Sequence, residues 1–232
     1  AVKTNGNTKG VITTDGNTMT VNDTCKPIYI TKYDLTGSKQ LDGEEFTITC
    51  TNPNVVITDA KVDGMKAYMI AGAYAYKNAT YTIHESKAPA GYAVCDDVKF
   101  TINADVNGNR KIEVDGSARI VKNTDGIPYI EVLDAPIVFY VDKFDASTNG
   151  YLAKAKLEIQ DASGTAVKSW TTGSGAEKIS DLAAGTYTLV ETEAPSGYKI
   201  ANPVRFTITD TGLLNDANGN SLIKSDGTYR IS

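Results

Sequence analysis

The stretch Tyr81-Thr82-Ile83-His84-Glu85-Ser86-Lys87-Ala88-Pro89-Ala90-Gly91-Tyr92 decides how this chain is read. It returns as Tyr187-Thr188-Leu189-Val190-Glu191-Thr192-Glu193-Ala194-Pro195-Ser196-Gly197-Tyr198. Each copy begins as a short alternating strand. The two-residue period of a strand puts Tyr81, Ile83 and Glu85 on one face, and likewise Tyr187, Leu189 and Glu191. If that face is the core, each repeat buries a carboxylate, which is costly without a partner.

The repetition extends in both directions. Lys87–Ile102 aligns without a gap with Glu193–Ile208, Ile28–Asp34 with Phe139–Asp145, and Leu41–Ile48 with Leu152–Ile159. Two domains follow, 28–136 and 137–232, joined by the short Asp134-Ala135-Pro136. Residues 1–27 read as the terminal hairpin and strand of a preceding repeat, or as a donor strand. Their Asn5-Gly6-Asn7, Asp15-Gly16 and Met19–Asp23 mirror Asn107-Gly108-Asn109, Asp125-Gly126 and Ile130–Asp134. At the other end Asn218-Gly219-Asn220, Asp226-Gly227 and Tyr229–Ser232 repeat the same hairpin, with the final acidic position expected just beyond Ser232. With no signal peptide and no initiating Met, the sequence is expected to be a mature or excised segment.

Composition agrees with an all-β protein. Thirteen Tyr, abundant Thr and Val and 20 Gly favour strands separated by many turns. No helix of ordinary length is evident. A net charge of −5 spread along the chain argues against nucleic acid, whose phosphates demand a basic stripe. No apolar run approaches the roughly 18 residues that span a bilayer, so no direct membrane insertion is expected. His84 is the only histidine and no Cys-x-x-Cys is present, so neither a metal nor another cofactor is expected. Asp105, Asn107 and Asn109 have the spacing of a calcium loop, but Arg110 stands where that loop needs Gly, and the Asn-Gly pair reads as a hairpin turn. Cys50 and Cys95 could pair as a disulfide, with buried free thiols as the alternative.

The register of three strands then becomes specific. Ile28, Ile30 and Lys32 share a face, as do Phe139, Val141 and Lys143, and as do Ile130, Val132 and Asp134. The first repeat therefore places Lys32, Glu85 and Asp134 at apolar-face positions. Burial disfavours charge, so the lysine tends toward a neutral amine and the acid toward its protonated form. A neutral amine is a nucleophile, a carboxyl carbon an electrophile, and a third carboxyl can carry protons between them. The product is a side-chain amide, with water lost, favoured by proximity in a dry site. The same residues can also hold a buried Lys–Glu–Asp ion network without covalent chemistry.

The box Tyr-x-Ile/Leu-x-Glu-x-x-Ala-Pro-x-Gly-Tyr, with its upstream Val/Ile-x-Lys-x-Asp strand, resembles the Cna protein B-type domains of Gram-positive surface proteins and pilins. The resemblance covers both repeats, essentially residues 28–232. It implies tandem Ig-like, prealbumin-like β-sandwiches of Cna B type and a spontaneous isopeptide bond. In that reading Lys32 is the nucleophile, Glu85 the catalyst and Asp134 the acceptor, an aspartate where the family more often has Asn. The second repeat has Lys143 and Glu191 but its acceptor falls past Ser232. Asp23 on a neighbouring molecule is a candidate in trans by strand addition.

These readings imply a structural stalk or pilin segment at the extracellular cell-wall surface, with neighbouring repeats or pilus subunits as partners. The alternatives are an adhesin module binding host protein or glycan and an accessory spacer of an extracellular enzyme. For the adhesin reading the insert 51–75, with Met65, Tyr68, Met69, Tyr74 and Tyr76, is the candidate surface. Self-crosslinking happens once per domain, so the chain is not expected to be a turnover enzyme.

Overall fold

The structure, a computed structural model, describes residues 11–15, 18–22, 26–71, 79–104, 110–122 and 126–232. Asp23, Cys25, Tyr74, Tyr76 and the Asn107-Gly108 turn lie outside the described residues. Among those described there are strands and turns and no helix. The strands are β1 Val11–Asp15, β2 Thr18–Asn22, β3 Ile28–Asp34, β4 Glu45–Cys50, β5 Val56–Val62, β6 Met65–Ala71, β7 Thr80–Lys87, β8 Val98–Ala104, β9 Arg110–Val114 and β10 Ala118–Lys122. They continue with β11 Pro128–Asp134, β12 Phe139–Val141, β13 Lys156–Gln160, β14 Ala166–Thr171, β15 Glu177–Ile179, β16 Gly185–Glu193, β17 Val204–Ile208, β18 Leu214–Asp216 and β19 Arg230–Ile231.

The chain forms two compact units, residues 1–86 with 96–133 and residues 87–95 with 134–232. The division falls inside β11, which pairs between β10 and β3 in the first unit's sheet.

The first unit has a five-stranded sheet ordered β10-β11-β3-β6-β5 and a four-stranded sheet β4-β7-β8-β9, beside the β1-β2 hairpin. Alternation along the strands decides what is buried. In β3, Ile28, Ile30 and Lys32 are buried and Tyr29 is half-exposed; in β7, Tyr81, Ile83 and Glu85 are buried and His84 and Ser86 are exposed. Tyr81 stacks on Phe100 from β8 with ring centroids 4.4 Å apart. Each such side chain contributes about 1.5–3 kcal/mol by leaving water.

The described part of the insert, residues 51–71, is largely sheet. β5 and β6 pair antiparallel from Val56–Ala71 to Val62–Met65, and β6 lies between β3 and β5. Asp63 and Gly64, both at positive φ (52° and 83°), make the turn, as a two-residue hairpin with right-handed twist requires. Ala67, Tyr68 and Ile70 are buried in the sheet, so Tyr68 serves packing and not an exposed binding surface.

The second unit has a three-stranded sheet β15-β12-β19 and a five-stranded sheet β14-β13-β16-β17-β18. Phe139 and Val141 of β12, Leu157 and Ile159 of β13, Tyr187 and Leu189 of β16, and Phe206 and Ile208 of β17 form one core, with Trp170 packed against it. β12 and β19 run parallel, Val141 opposite Ile231.

Turn aspartates close this unit's loops. Asp145 accepts from the amide and hydroxyl of Ser147 and from Tyr198 Oη. Asp161 accepts from Ser163 and the Thr165 amide, Asp216 from the amides of Asn218 and Asn220, and Asp226 from Thr228. These donors hold all four carboxyls below the usual range, with the Ser147 hydroxyl foremost for Asp145. A depressed folded-state value contributes stability that is full above the unfolded value of about 3.9 and is lost as pH falls through the folded value. The second unit is therefore expected to weaken below about pH 4. Asp145→Asn should lower the urea midpoint at neutral pH and reduce the further loss in acid. Trp170, the only tryptophan, reports the transition by fluorescence. A wild-type midpoint that stays level between neutral pH and about pH 3 would contradict this assignment.

Candidate functional site

Lys32 and Asp134 end up at 0% exposure and Glu85 at 2%. Period-two alternation carries each of them inward: Lys32 follows Ile28 and Ile30 on β3, Glu85 follows Tyr81 and Ile83 on β7, and Asp134 follows Ile130 and Val132 on β11. β3 and β11 are neighbours in one sheet, while β7 belongs to the other. Lys32 Nζ lies 2.8 Å from Glu85 Oε1, and neither side chain has any exposure. The Phe46 ring sits 5.4 Å from Lys32 Nζ, an apolar wall that also suits a cation. One carboxylate oxygen each from Glu85 and Asp134, with Cys95 Sγ, lie within 4.8 Å of one another. The structure thus brings together the three residues that register placed on apolar faces.

A Glu–Cys–Asp grouping has ligand types that some metals accept. Here, however, the Lys32 ammonium already supplies the cation beside Glu85. The arrangement is that of a buried amine between carboxyls.

Cys50 and Cys95 are free thiols, which corrects the disulfide reading. Cys50 closes β4 where the Thr51 amide donates to Thr80 O at the start of β7. Cys95 Sγ lies beside Glu85, five residues further along that strand. His84 faces away from Glu85, exposed, and pairs with Asp97 at 2.7 Å.

The second unit repeats half of the site. Lys143 Nζ lies 3.4 Å from Glu191 Oε2, with side-chain exposures of 19% and 2%. The Ala201 amide donates to Glu191 Oε2 at 2.6 Å, while Glu191 Oε1 is buried without a hydrogen-bond partner. Beside the pair is a cavity of about 220 Å³ lined by Lys143, Glu191, Leu157, Leu189, Ile231 and Ser232. Asp23, the trans candidate, lies outside the described residues.

Sequence reasoning missed three buried acids, one of them Glu131, 6% exposed and paired with the Arg119 guanidinium. Asp142, 6% exposed, takes both carboxylate oxygens to Arg230 Nη1 at 2.8 and 2.9 Å and accepts from Tyr151 Oη at 3.1 Å. Its place next to Lys143 on the opposite strand face was the available signal. Glu44, 1% exposed, has both carboxyl oxygens without a hydrogen-bond partner, and burial pushes its carboxyl up. It follows Asp42-Gly43 in a loop, where no periodicity marks the inward direction.

Two tandem all-β sandwiches, each with a lysine–glutamate pair in its interior, are the class that fold and site define. The SpaA prealbumin-like fold domain family matches residues 26–118 and 138–221, more than half of the chain, and the chain belongs to that family. Among solved structures, the C-terminal fragment of the pilus adhesin SpaC from Lactobacillus rhamnosus GG is similar at 19% identity over 89% of this chain and 92% of that one, with a TM-score of 0.43. The shaft pilin SpaA of the same organism is similar at 20% identity over 80% of this chain and 94% of that one (TM-score 0.32). The Bacillus anthracis TIE protein is similar at 22% identity over 84% of this chain and 34% of that one (TM-score 0.39). The chain spans about a third of the whole SpaC adhesin, covering 32% of it. No curated protein sequence matches.

Proposed function

We propose that the first unit crosslinks itself and that the chain is a force-carrying segment of a Gram-positive cell-surface stalk or pilus. The observation that carries this reading is the fully buried Lys32–Glu85 pair, 2.8 Å apart, with the Asp134 carboxyl beside it. The Lys32 ammonium passes one proton through Glu85 to the Asp134 carboxylate, and the neutral Nζ attacks Asp134 Cγ. Glu85 then takes a second proton from the nitrogen and gives it to the departing hydroxyl, so that one water leaves as the amide forms. Charge and atoms balance: an ammonium and a carboxylate become a neutral amide and water. Pulling force that enters at β3 then leaves through β11 without loading the strands between. Neighbouring repeats or other pilus subunits are the partners this role implies, at the extracellular cell-wall surface. Intact mass of the denatured protein tests the bond.

The second unit's Lys143 and Glu191 are proposed to carry out the same chemistry once a carboxyl is supplied opposite Lys143, by a residue added after Ser232 or by Asp23 of a neighbouring molecule in trans. Val141 lies opposite Ile231 in a parallel pair, so a residue added after Ser232 would be the next inward position opposite Lys143. Extending the chain by Asp-Ala-Pro, the residues that follow Leu133, is expected to remove a second water, and Glu191→Ala to prevent it. An extended protein carrying only the first loss would reject this assignment.

A further inference from the structure

The second unit takes in Lys87–Cys95, a segment that belongs by sequence to the first copy of the box. Its seat is well made. Ile137 N donates to Gly91 O at 2.8 Å, Ala93 N to Ala135 O at 3.1 Å, and Val94 N to Asp210 O at 2.9 Å. Tyr92 bridges to Pro136, and Ala93 packs against the unit's core. Two glycines permit the approach. A Cβ on Gly91 would lie 2.8 Å from Asp181 Cα, and one on Gly212 would lie 3.0 Å from Ala93 Cβ.

The second copy of the segment, Glu193–Ala201, has the same local shape. Tyr92 N donates to Pro89 O at 3.1 Å, and Tyr198 N to Pro195 O at 3.0 Å. Gly91 has φ 85° and Gly197 φ 89°. Their surroundings differ. Gly91 is buried, whereas Gly197 is exposed and a Cβ there would meet nothing within 4 Å. Tyr198, Ile200 and Val204 are 44%, 59% and 37% exposed, while Val98, the counterpart of Val204, is at 0%. Tyr198 and Ile200 on a preformed loop, with Val204 at the start of β17, form an exposed apolar patch that marks an interaction surface.

We propose that Glu193–Ala201 is a second docking segment whose occupant is a further prealbumin-like domain of the second unit's type. The seat of Lys87–Cys95 defines that occupant. It offers a backbone like Asp181 against the glycine, a turn like Thr209–Gly212 with room for the next side chain, and a carbonyl like that of Asp210. Two charge changes separate the segments, Glu193 in place of Lys87 and, within the part that meets the seat, Lys199 in place of Ala93. Exposed carboxylates at positions like Asp181 and Asp210 would receive its ammonium. The assignment stands whether or not either unit is crosslinked.

Three substitutions, Ala90→Ser, Ala93→Lys and Val94→Ile, convert the first segment's Pro89–Val94 into the second's Pro195–Ile200. Hydrogen exchange of the whole chain is then read at the amides of residues 93 and 94. If the second segment suits this kind of seat, both amides stay within about tenfold of the parent's rates. Gly91→Val, which forces the segment off Asp181, should speed them by more than about tenfold. A triple variant whose β17 amides keep their protection while residues 93 and 94 lose theirs overturns the proposal. Should that variant not fold, a chain extended after Ser232 by a second copy of residues 134–232 decides. Exchange at Lys199 and Ile200 is expected to slow by more than about tenfold, and unchanged rates overturn the proposal. Concentration-dependent slowing at Lys199 and Ile200 in the unextended chain would assign the surface to a second copy of this protein and likewise overturn it.

Discussion

The denatured, reduced protein is expected to weigh one water less than its sequence, with the loss mapped to a peptide joining Lys32 to Asp134. Glu85→Ala is expected to restore the full mass and to lower stability twice over. The bond closes a loop of about 100 residues, which by analogy with disulfide closure stabilises by on the order of 4–5 kcal/mol. The substitution also takes from the fully buried Lys32 ammonium the carboxylate that lies 2.8 Å away. Removing one partner of a buried pair costs about 3–5 kcal/mol. Asp134→Ala separates the two effects, because it removes the acceptor and keeps the Lys32–Glu85 pair. Its mass should be that of an uncrosslinked chain, and its unfolding should fall between wild type and Glu85→Ala. A wild-type protein at full calculated mass would leave a buried ion network in place of the bond.

Phe206→Ala is expected to destabilise the second unit by about 3–5 kcal/mol, the usual cost of deleting a buried aromatic ring and leaving a cavity. Phe206 is at 0% exposure on β17 and meets Phe139 of β12 edge-on at 5.5 Å and Tyr187 of β16 at 5.6 Å. One ring thus joins the three-stranded sheet to the five-stranded one. A native unit is stable by roughly 5–15 kcal/mol, so the loss takes a large share of it. Trp170, packed against this core, reports the transition in urea. A crosslink from Lys32 to Asp134 lies outside this core and should not rescue it. A shift below about 1 kcal/mol would mean that the cavity collapses and that Phe206 does not tie the sheets together.

Much of the first site was legible before any coordinates. Strands bury alternate residues, so Tyr81, Ile83 and Glu85 had to share a fate, and the same held for Lys32 after Ile30 and for Asp134 after Val132. The repeat made the inference stronger, because Lys143 and Glu191 occupy the same periods and are again paired. Turn chemistry was legible for the same local reason: Asp63-Gly64 and the hydroxyl-bearing residues after Asp145 and Asp161 act within a few residues of themselves.

What lay beyond local pattern was decided by tertiary structure. No periodicity says that β6 lies between β3 and β5, so the insert's Tyr68 read as a surface and is instead part of a sheet. Sequence counts Cys50 and Cys95 as a candidate pair, whereas the folded chain leaves both as free thiols. Glu44 enters the interior from a loop, and Asp142 finds Arg230 across 88 residues of chain. The two copies of the box, identical at seven of twelve positions, differ most: Gly91 is buried and Gly197 exposed. Alternation determines which face a residue takes, because it is a property of one strand. Which surface meets that face depends on chain distant in sequence, and that only the folded structure decides.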